Sequence, residues 1–368
     1  MSWQGIAGHD DVVAQFRGAL ARNRLASTFL FVGPAGIGKR TFALKLAQTL
    51  LCQTRPPELM DPCGTCASCQ QVLAGGHPDL DMVGKPKDKS TIPVDTFIGD
   101  ADHRMREGLC HRIGLKPFMG GRKIAVIDDA DFLNQEGANC LLKTLEEPPA
   151  RSVLILIGTS PAKQLPTIRS RCQMIRFRPL EPATVAELLV KHELIADEKE
   201  AARLAEYAEG SLERAVELSD PELWKFRAQL FERLADPRLD SLRLAKAVIA
   251  FIDEAGKEAS QRRSRARQII GMAAEFYRRW LRSVSGAAAE GDAELQAIVE
   301  RAQYAHPLDE ETIARCLDRT LEALEHIDRN ANQATLVECW LDDLWQLTTV
   351  INHGGTETRS RQTMSGQR

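Results

Sequence analysis

The chain has 368 residues, a formal net charge of −3, 43% apolar and 27% charged residues, which is ordinary for a globular protein and enough for about two or three domains with their own cores. A charge this small excludes a whole-molecule basic field for gripping nucleic acid and leaves only local patches. No apolar run reaches the length of a membrane span, and the opening MSWQGIAGHD lacks a basic stretch followed by an apolar one, so the expectation is a cytoplasmic protein whose nine cysteines stay reduced.

In chain order, Asp10 to Leu25 carries Val12, Val13, Phe16, Leu20 and Leu25 at helical spacing. Phe29 to Val32 predicts a short buried strand. A glycine-rich turn follows, then a helix burying Phe42, Leu46 and Leu50. A proline- and glycine-rich insert occupies Cys52 to Cys69. DLDMVG, from Asp79 to Gly84, predicts another short strand, GKPKDKSTI a loop, and Pro93 to Ile113 a return to helix. KIAVIDDAD, from Lys123 to Asp131, is a buried strand ending in acids. NQEGANCLLKTLEEPP is a helix stopped by Pro148 and Pro149, and Val153 to Ser160 is a further buried strand. Apolar strands alternating with helices imply a parallel sheet covered on both faces. After about Pro179 the strands end. Glu181 to Leu218 reads as a small helical unit, and Asp220 to Ile351 as helical throughout, broken at DPR and HPLDEET. The polar, aperiodic tail HGGTETRSRQTMSGQR reads as disordered.

GPAGIGKR matches G-x-x-x-x-G-K at Gly33, Gly38 and Lys39, with Pro34, Ala35, Gly36 and Ile37 between. Glycines let backbone N–H groups turn inward around phosphate oxygens. The following helix adds its positive end, and the lysine a mobile charge. The bland alternative, a glycine turn with no ligand, leaves the lysine's placement accidental. One part departs from the pattern: Arg40 stands where a hydroxyl side chain normally binds magnesium. Thr41 has the hydroxyl, but it lies about 100° further round a helix and points elsewhere unless the helix start shifts. Asp128 and Asp129 fall at the carboxyl end of a strand, where parallel sheets bind ligands. Asp128 would hold magnesium. Asp129 occupies the place of an acid that orients an attacking water, one methylene shorter than the usual glutamate. Alone, such a pair could equally cap the next helix; the phosphate loop upstream favours the functional reading.

Cys52, Cys63, Cys66 and Cys69 give C-x10-C-x2-C-x2-C, a spacing that lets four thiolates close on one structural Zn2+. His77 is near, but four sulfurs already fill the shell. Cys140 and Cys339 read as packing residues. The basic run SQRRSRAR, from Ser260 to Arg267, could touch phosphates, although a solvated helix face is the simpler reading.

GRKIAVIDDADFLNQEGANCLLKTLEEPP, followed by TSPAKQLPTIRSRCQMIRFRPL, strongly resembles the AAA+ subunits of the bacterial replicative clamp loader, part of the DNA polymerase III holoenzyme. The resemblance runs from about Trp3 to Leu218 and is most specific over 121–180. It implies an α/β fold followed by all-α: an AAA+ parallel-sheet domain over 1–179 with a zinc module at about 52–69, a helical lid over 180–219, a helical collar for oligomerisation over 220–352, and a tail at 353–368. A similar four-cysteine insert follows the first helix in the family. ATP or ADP with Mg2+ is implied at the phosphate loop. In Ser170-Arg171-Cys172 the arginine would act in trans on the nucleotide of a neighbouring subunit; without the resemblance, Arg171 reads as a surface ion-pair partner. Thr159 takes the place of a polar residue sensing the terminal phosphate. GSLERAV resembles the second sensor, with Arg214 one place later than in the motor subunit.

The implied partners are the delta and gamma/tau subunits in a hetero-pentameric ring, with the sliding clamp and primer–template DNA reached through the complex and no membrane. Two kinds of member compete: an ATP-hydrolysing gamma/tau motor, and a stator that lends an arginine but barely fires itself. The missing magnesium hydroxyl, the shortened acid, the shifted sensor, the kept arginine and the short chain favour the stator, with its own ATPase weak or absent. Other classes are an independent AAA+ DNA-remodelling ATPase, against which the zinc insert and arginine placement argue, and a scaffold that never binds nucleotide. No polymerase active site is visible; polymerase activity would belong to the assembled holoenzyme.

Overall fold

The computed structural model describes residues 3, 5–86, 89–104, 106–119, 121–287, 292–329 and 331–349. The chain divides into two units, Met1–Ser219 and Asp220–Arg368. The first is built on five strands: β1 Thr28–Val32, β2 Leu80–Val83, β3 Lys123–Ile127, β4 Ser152–Gly158 and β5 Gln173–Arg176. Their order is β2-β3-β4-β1-β5, and all the pairings are parallel. In register, Thr28 faces Leu154 and Val32 faces Gly158, while Phe29 faces Gln173 on the other side. Strands β1, β3 and β4 are buried at every residue, which is why their sequences are nearly unbroken apolar runs.

Successive side chains on a strand point to opposite faces, so the sheet feeds two cores. One holds Phe29, Phe31, Val126 and Ile155 with Phe16 and Phe42 from helices. The other holds Leu30, Ala125, Ile127 and Leu154 with Leu141 and Phe97. The covering helices are α1 Asp10–Ala21, α2 Lys39–Leu51, α3 Ala67–Leu73, α4 Asp95–Ile98, α5 Leu109–Gly114, α6 Gln135–Glu146 and α7 Pro166–Arg169. After β5 come α8 Pro182–Lys191, α9 Glu198–Tyr207 and α10 Leu212–Glu217.

Three local readings differ from the sequence expectation. Helix α1 stops before Leu25 because Asn23 turns into the left-handed region at φ 51° and Arg24 N–H closes back on Ala19 O at 2.9 Å. Pro93 to Ile113 is two short helices, not one, because the chain reverses at Gly99 and brings Gly108 back against its backbone; a Cβ on Gly108 would lie 2.5 Å from Gly99 N. Strand β5 had no apolar run to announce it: it pairs with β1 alone, and only Ile175 of its four residues is buried.

The second unit holds α11 Pro221–Leu234, α12 Ser241–Glu254, α13 Ala259–Val284, α14 Ala293–Ala305, α15 Glu310–Asp328 and α16 Gln333–Thr349. Asp220, Asp240, Asp292 and Asp309 cap four of these helices with side-chain bonds to free N–H groups. Its core includes Phe231, Phe276, Tyr277, Trp280 and Trp340, with the Trp340 indole donating to Thr320 Oγ1 at 3.1 Å. Arg227 and Asp292 form a buried ion pair there. In the basic run, Arg265 pairs with Asp220 at 2.9 Å and Arg262 donates to Gly256 O at 2.9 Å, so these guanidiniums are tied to the unit's own helix ends. The tail at 353–368 lies outside the described residues. Among those described, no helix is long and apolar enough to cross a membrane.

Phe42 joins the site to the core. It sits in the first turn of α2, fully buried, with its ring 4.9 Å from Trp3, 5.1 Å from Phe177, 5.8 Å from Phe16 and 5.9 Å from Phe31. Phe42→Ala is expected to destabilise the chain by about 3–5 kcal/mol, the range for emptying a large aromatic site. Urea unfolding followed by tryptophan fluorescence and circular dichroism checks it.

Candidate functional site

Strand β1 runs directly into the phosphate loop. Gly33 N–H donates to Thr159 O at 3.2 Å, which keeps the loop beside the end of β4. Gly36 sits at φ +71°, and a Cβ there would lie 2.3 Å from Ser211 Oγ, so only glycine fits this turn. The loop is pinned from beneath by His9, whose Nε2 is 2.7 Å from Ile37 O. From above, Leu212 N–H donates to Gly36 O at 3.0 Å, which seats α10 on the loop. Gly38 caps α2, leaving the first N–H groups of a 13-residue helix directed at the loop.

Lys39 is buried, and its ammonium folds back on the loop, donating to Gly33 O at 2.7 Å and to Pro34 O. Burial lowers its pKa, with Asp131, Asp128 and Glu213 acting in the opposite direction. Arg40 is mostly exposed and makes an ion pair with Asp128, Nε to Oδ2, at 3.5 Å. Thr41 is among the residues bordering the adjoining cavity. That cavity, about 780 Å³, is bordered by the loop, by Asp128, Asp129 and Thr159, and by apolar groups including Ile6, Leu180 and Leu188.

Asp128 and Asp129 stand just past β3. Asp128 Oδ1 accepts from Asp129 N–H at 3.0 Å, and Asp129 has a left-handed backbone, φ 56°. Its carboxyl pKa is raised, first by burial and then by the Asp128 charge. The residue the sequence reading passed over is Asp131. Its two oxygens accept from Thr159 N–H at 2.9 and 3.1 Å, from the Thr159 hydroxyl and from Gln164 Nε2. The Thr159 hydroxyl is therefore already donated within the chain. No local spacing could reveal this, since the partners lie 28 and 33 residues apart. Arg214 is not among the groups bordering the cavity. It pairs with Glu209 at 2.9 Å, while Glu213 and Glu217 of the same helix line the wall.

Arg171 belongs to a different place. It follows α7 and precedes β5, and its carbonyl accepts from Thr28 Oγ1 at 2.8 Å, at the first residue of β1. The phosphate loop leaves the other end of the same strand, about 13 Å away at roughly 3.3 Å per residue. The Arg171 guanidinium is held by Glu146 Oε1 at 2.7 Å, Thr167 O at 2.9 Å and Ser170 Oγ at 3.2 Å, and remains partly exposed. Glu146, at the end of α6, is the second residue whose role the sequence did not show.

The four cysteines of the insert come together. Cys52 follows α2, Cys66 caps α3 and Cys69 lies within it, and their sulfurs with that of Cys63 all fall within 4.8 Å of one another. The Cys63–Cys69 separation is 3.8 Å, close to the edge of a tetrahedron with metal–sulfur bonds of about 2.3 Å. Backbone N–H groups of Cys66 and Thr65 donate to Cys63 Sγ at 3.2 and 3.4 Å. The Thr54 hydroxyl most strongly, and these backbone donors with it, pull the Cys63 thiol down to about 5, whereas burial pushes Cys69 up. His77 takes no part: its ring bonds Ser68 Oγ at 2.9 Å and accepts from Asp79 N–H at 3.0 Å. The donor set suits zinc.

A sequence model of the family described as DNA polymerase III, delta subunit, matches residues 8–181. DNA polymerase III subunit delta' of Pseudomonas aeruginosa is 40% identical over 151 residues, 41% of this chain and 43% of that protein. Its counterpart in Bacillus subtilis is 32% identical over 201 residues, 55% of this chain and 56% of that one. DNA polymerase III subunit gamma/tau of Mycobacterium tuberculosis is 33% identical over 190 residues, 52% of this chain and 31% of that protein. The match thus spans about half the length of the two delta' relatives. Over residues 8–181 the chain is thus similar to the delta and delta' subunits of DNA polymerase III.

Proposed function

We propose that the protein is the stator-like member of a replicative clamp loader, lending Arg171 to ATP held by a neighbouring gamma/tau subunit. One observation carries this reading: Arg171 sits at the opposite end of β1 from the chain's own phosphate loop. A phosphate served by this guanidinium therefore belongs to another chain. There it would neutralise charge spreading over the transferred phosphoryl group. Delta and gamma/tau subunits are the proposed ring partners, and the clamp and primer–template DNA are met through the ring in the bacterial cytoplasm. The segment 180–219 would act as the lid and 220–352 as the collar.

The chain's own loop would hold nucleotide and cleave it slowly or not at all. Its backbone turn and Lys39 suit phosphates. Cleavage is disfavoured because Arg40 brings no hydroxyl to a metal, Asp129 is short, and the Thr159 hydroxyl is donated to Asp131. The four-cysteine insert would bind one structural Zn2+, closing the loop between α2 and α3 without an open coordination position.

Assembled with Arg171→Ala, the ATPase site facing this chain is expected to lose about a thousandfold of its rate or more, as trans arginines do elsewhere. Single-turnover and steady-state ATPase of the whole loader measure this, alongside turnover by the chain alone. An unaltered loader rate removes the role, and motor-like turnover by the solitary chain favours the gamma/tau reading instead.

Elemental analysis of the purified chain is expected to find a single zinc per chain, as four sulfurs around one ion require. Cys63→Ser or Cys66→Ser should lose most of that metal and expose 52–69 to proteolysis, while metal-free wild type retaining full protease resistance would refute the site.

A further inference from the structure

Arg40 does more than leave out a hydroxyl. Its guanidinium stands 3.5 Å from Asp128 Oδ2, the carboxylate expected to hold the metal. Magnesium asks for near-octahedral oxygen ligands at about 2.0–2.1 Å. Position 40 has no oxygen to give, Asp128 already has a cationic partner, and both oxygens of Asp131 accept bonds from Thr159 and Gln164. Thr41 at the wall is a lone neutral donor. The residues present do not fit a resident Mg2+.

The phosphate-binding parts are nonetheless intact: the glycine turn, the open N-terminus of α2 and the ammonium of Lys39. Arginine keeps its charge at any physiological pH and offers planar N–H donors to phosphate. From this juxtaposition we propose that the loop takes a nucleoside diphosphate without a divalent cation, Arg40 supplying the positive charge beside Asp128 that the ion would otherwise supply. The proposal rests on the reading of the loop as a nucleotide site.

The preference for a diphosphate follows from charge. Asp128, Asp129, Asp131, Glu213 and Glu217 border the cavity, against Lys39 and Arg40. A third phosphate adds negative charge next to these acids, and the metal that normally bridges the β- and γ-oxygens has no ligand set here. A diphosphate avoids that repulsion and keeps the contacts with backbone N–H groups and Lys39.

Isothermal titration of the full chain with ADP and with ATP, each in magnesium chloride and in EDTA, tests the proposal. The ADP affinity is expected to change by less than about twofold between the two buffers, and in EDTA to exceed that of ATP by about tenfold. Arg40→Thr restores a hydroxyl and frees Asp128, so magnesium should then tighten nucleotide binding about tenfold or more. Arg40 is exposed over 64% of its side chain, so this variant disturbs no core. Wild-type affinity that rises about tenfold with magnesium, or an Arg40→Thr variant as indifferent to the metal as the parent, overturns the proposal. No binding of either nucleotide in any buffer overturns it together with the nucleotide reading of the loop, while the Arg171 role stands or falls separately on the loader ATPase.

Discussion

A parallel sheet has two chemically different edges, and this chain uses both. At the carboxyl edge, β1 and β3 deliver the phosphate loop and the acids. At the amino edge, Thr28 anchors the backbone of Arg171. A strand cannot bend back on itself within five residues, so no rotamer of Arg171 brings it to the loop that leaves the far end of β1. Separation of the two groups is thus a consequence of strand direction and pairing, not of side-chain choice. A ring in which one chain's amino edge faces the next chain's loop is the simplest arrangement that gives both groups work.

At the loop itself, the polar groups have already found one another. Lys39 satisfies carbonyls of the turn, Arg40 balances Asp128, and Asp131 ties Thr159 and Gln164 to the end of β4. Each bond keeps a buried or half-buried polar group satisfied without ligand. The same bonds consume donors that a hydrolytic site would direct at the terminal phosphate and at water.

The framework was largely legible in the sequence because it rests on local pattern. Strands β1, β3 and β4 are buried on both faces, so they show as apolar runs; the glycine turn and the cysteine spacing are likewise short-range signals. What stayed hidden depends on distance along the chain. Strand β5 pairs on one side only and keeps charged and polar residues, so its sequence carries no run. Asp131 and Glu146 bond partners that the fold brings near from far along the chain, and Arg214 pairs with nearby Glu209.

The Arg171–Glu146 pair has a strength that suits the role proposed for Arg171. A guanidinium left alone on a surface samples many rotamers and would lose that freedom on meeting a phosphate. Here Thr167 O and Ser170 Oγ fix its direction, and Glu146 takes the remaining face. Because the Glu146 side chain is half exposed, the pair sits in a high-dielectric setting where such contacts contribute little, about 0–1 kcal/mol. A buried carboxylate in the same place would hold the arginine against a competing anion; a solvated one orients it and gives way. Bidentate Arg–phosphate contacts are stronger than a solvated carboxylate pair. On the proposed reading, a neighbour's triphosphate would draw the guanidinium off Glu146 while the backbone anchor at Thr28 stays in place.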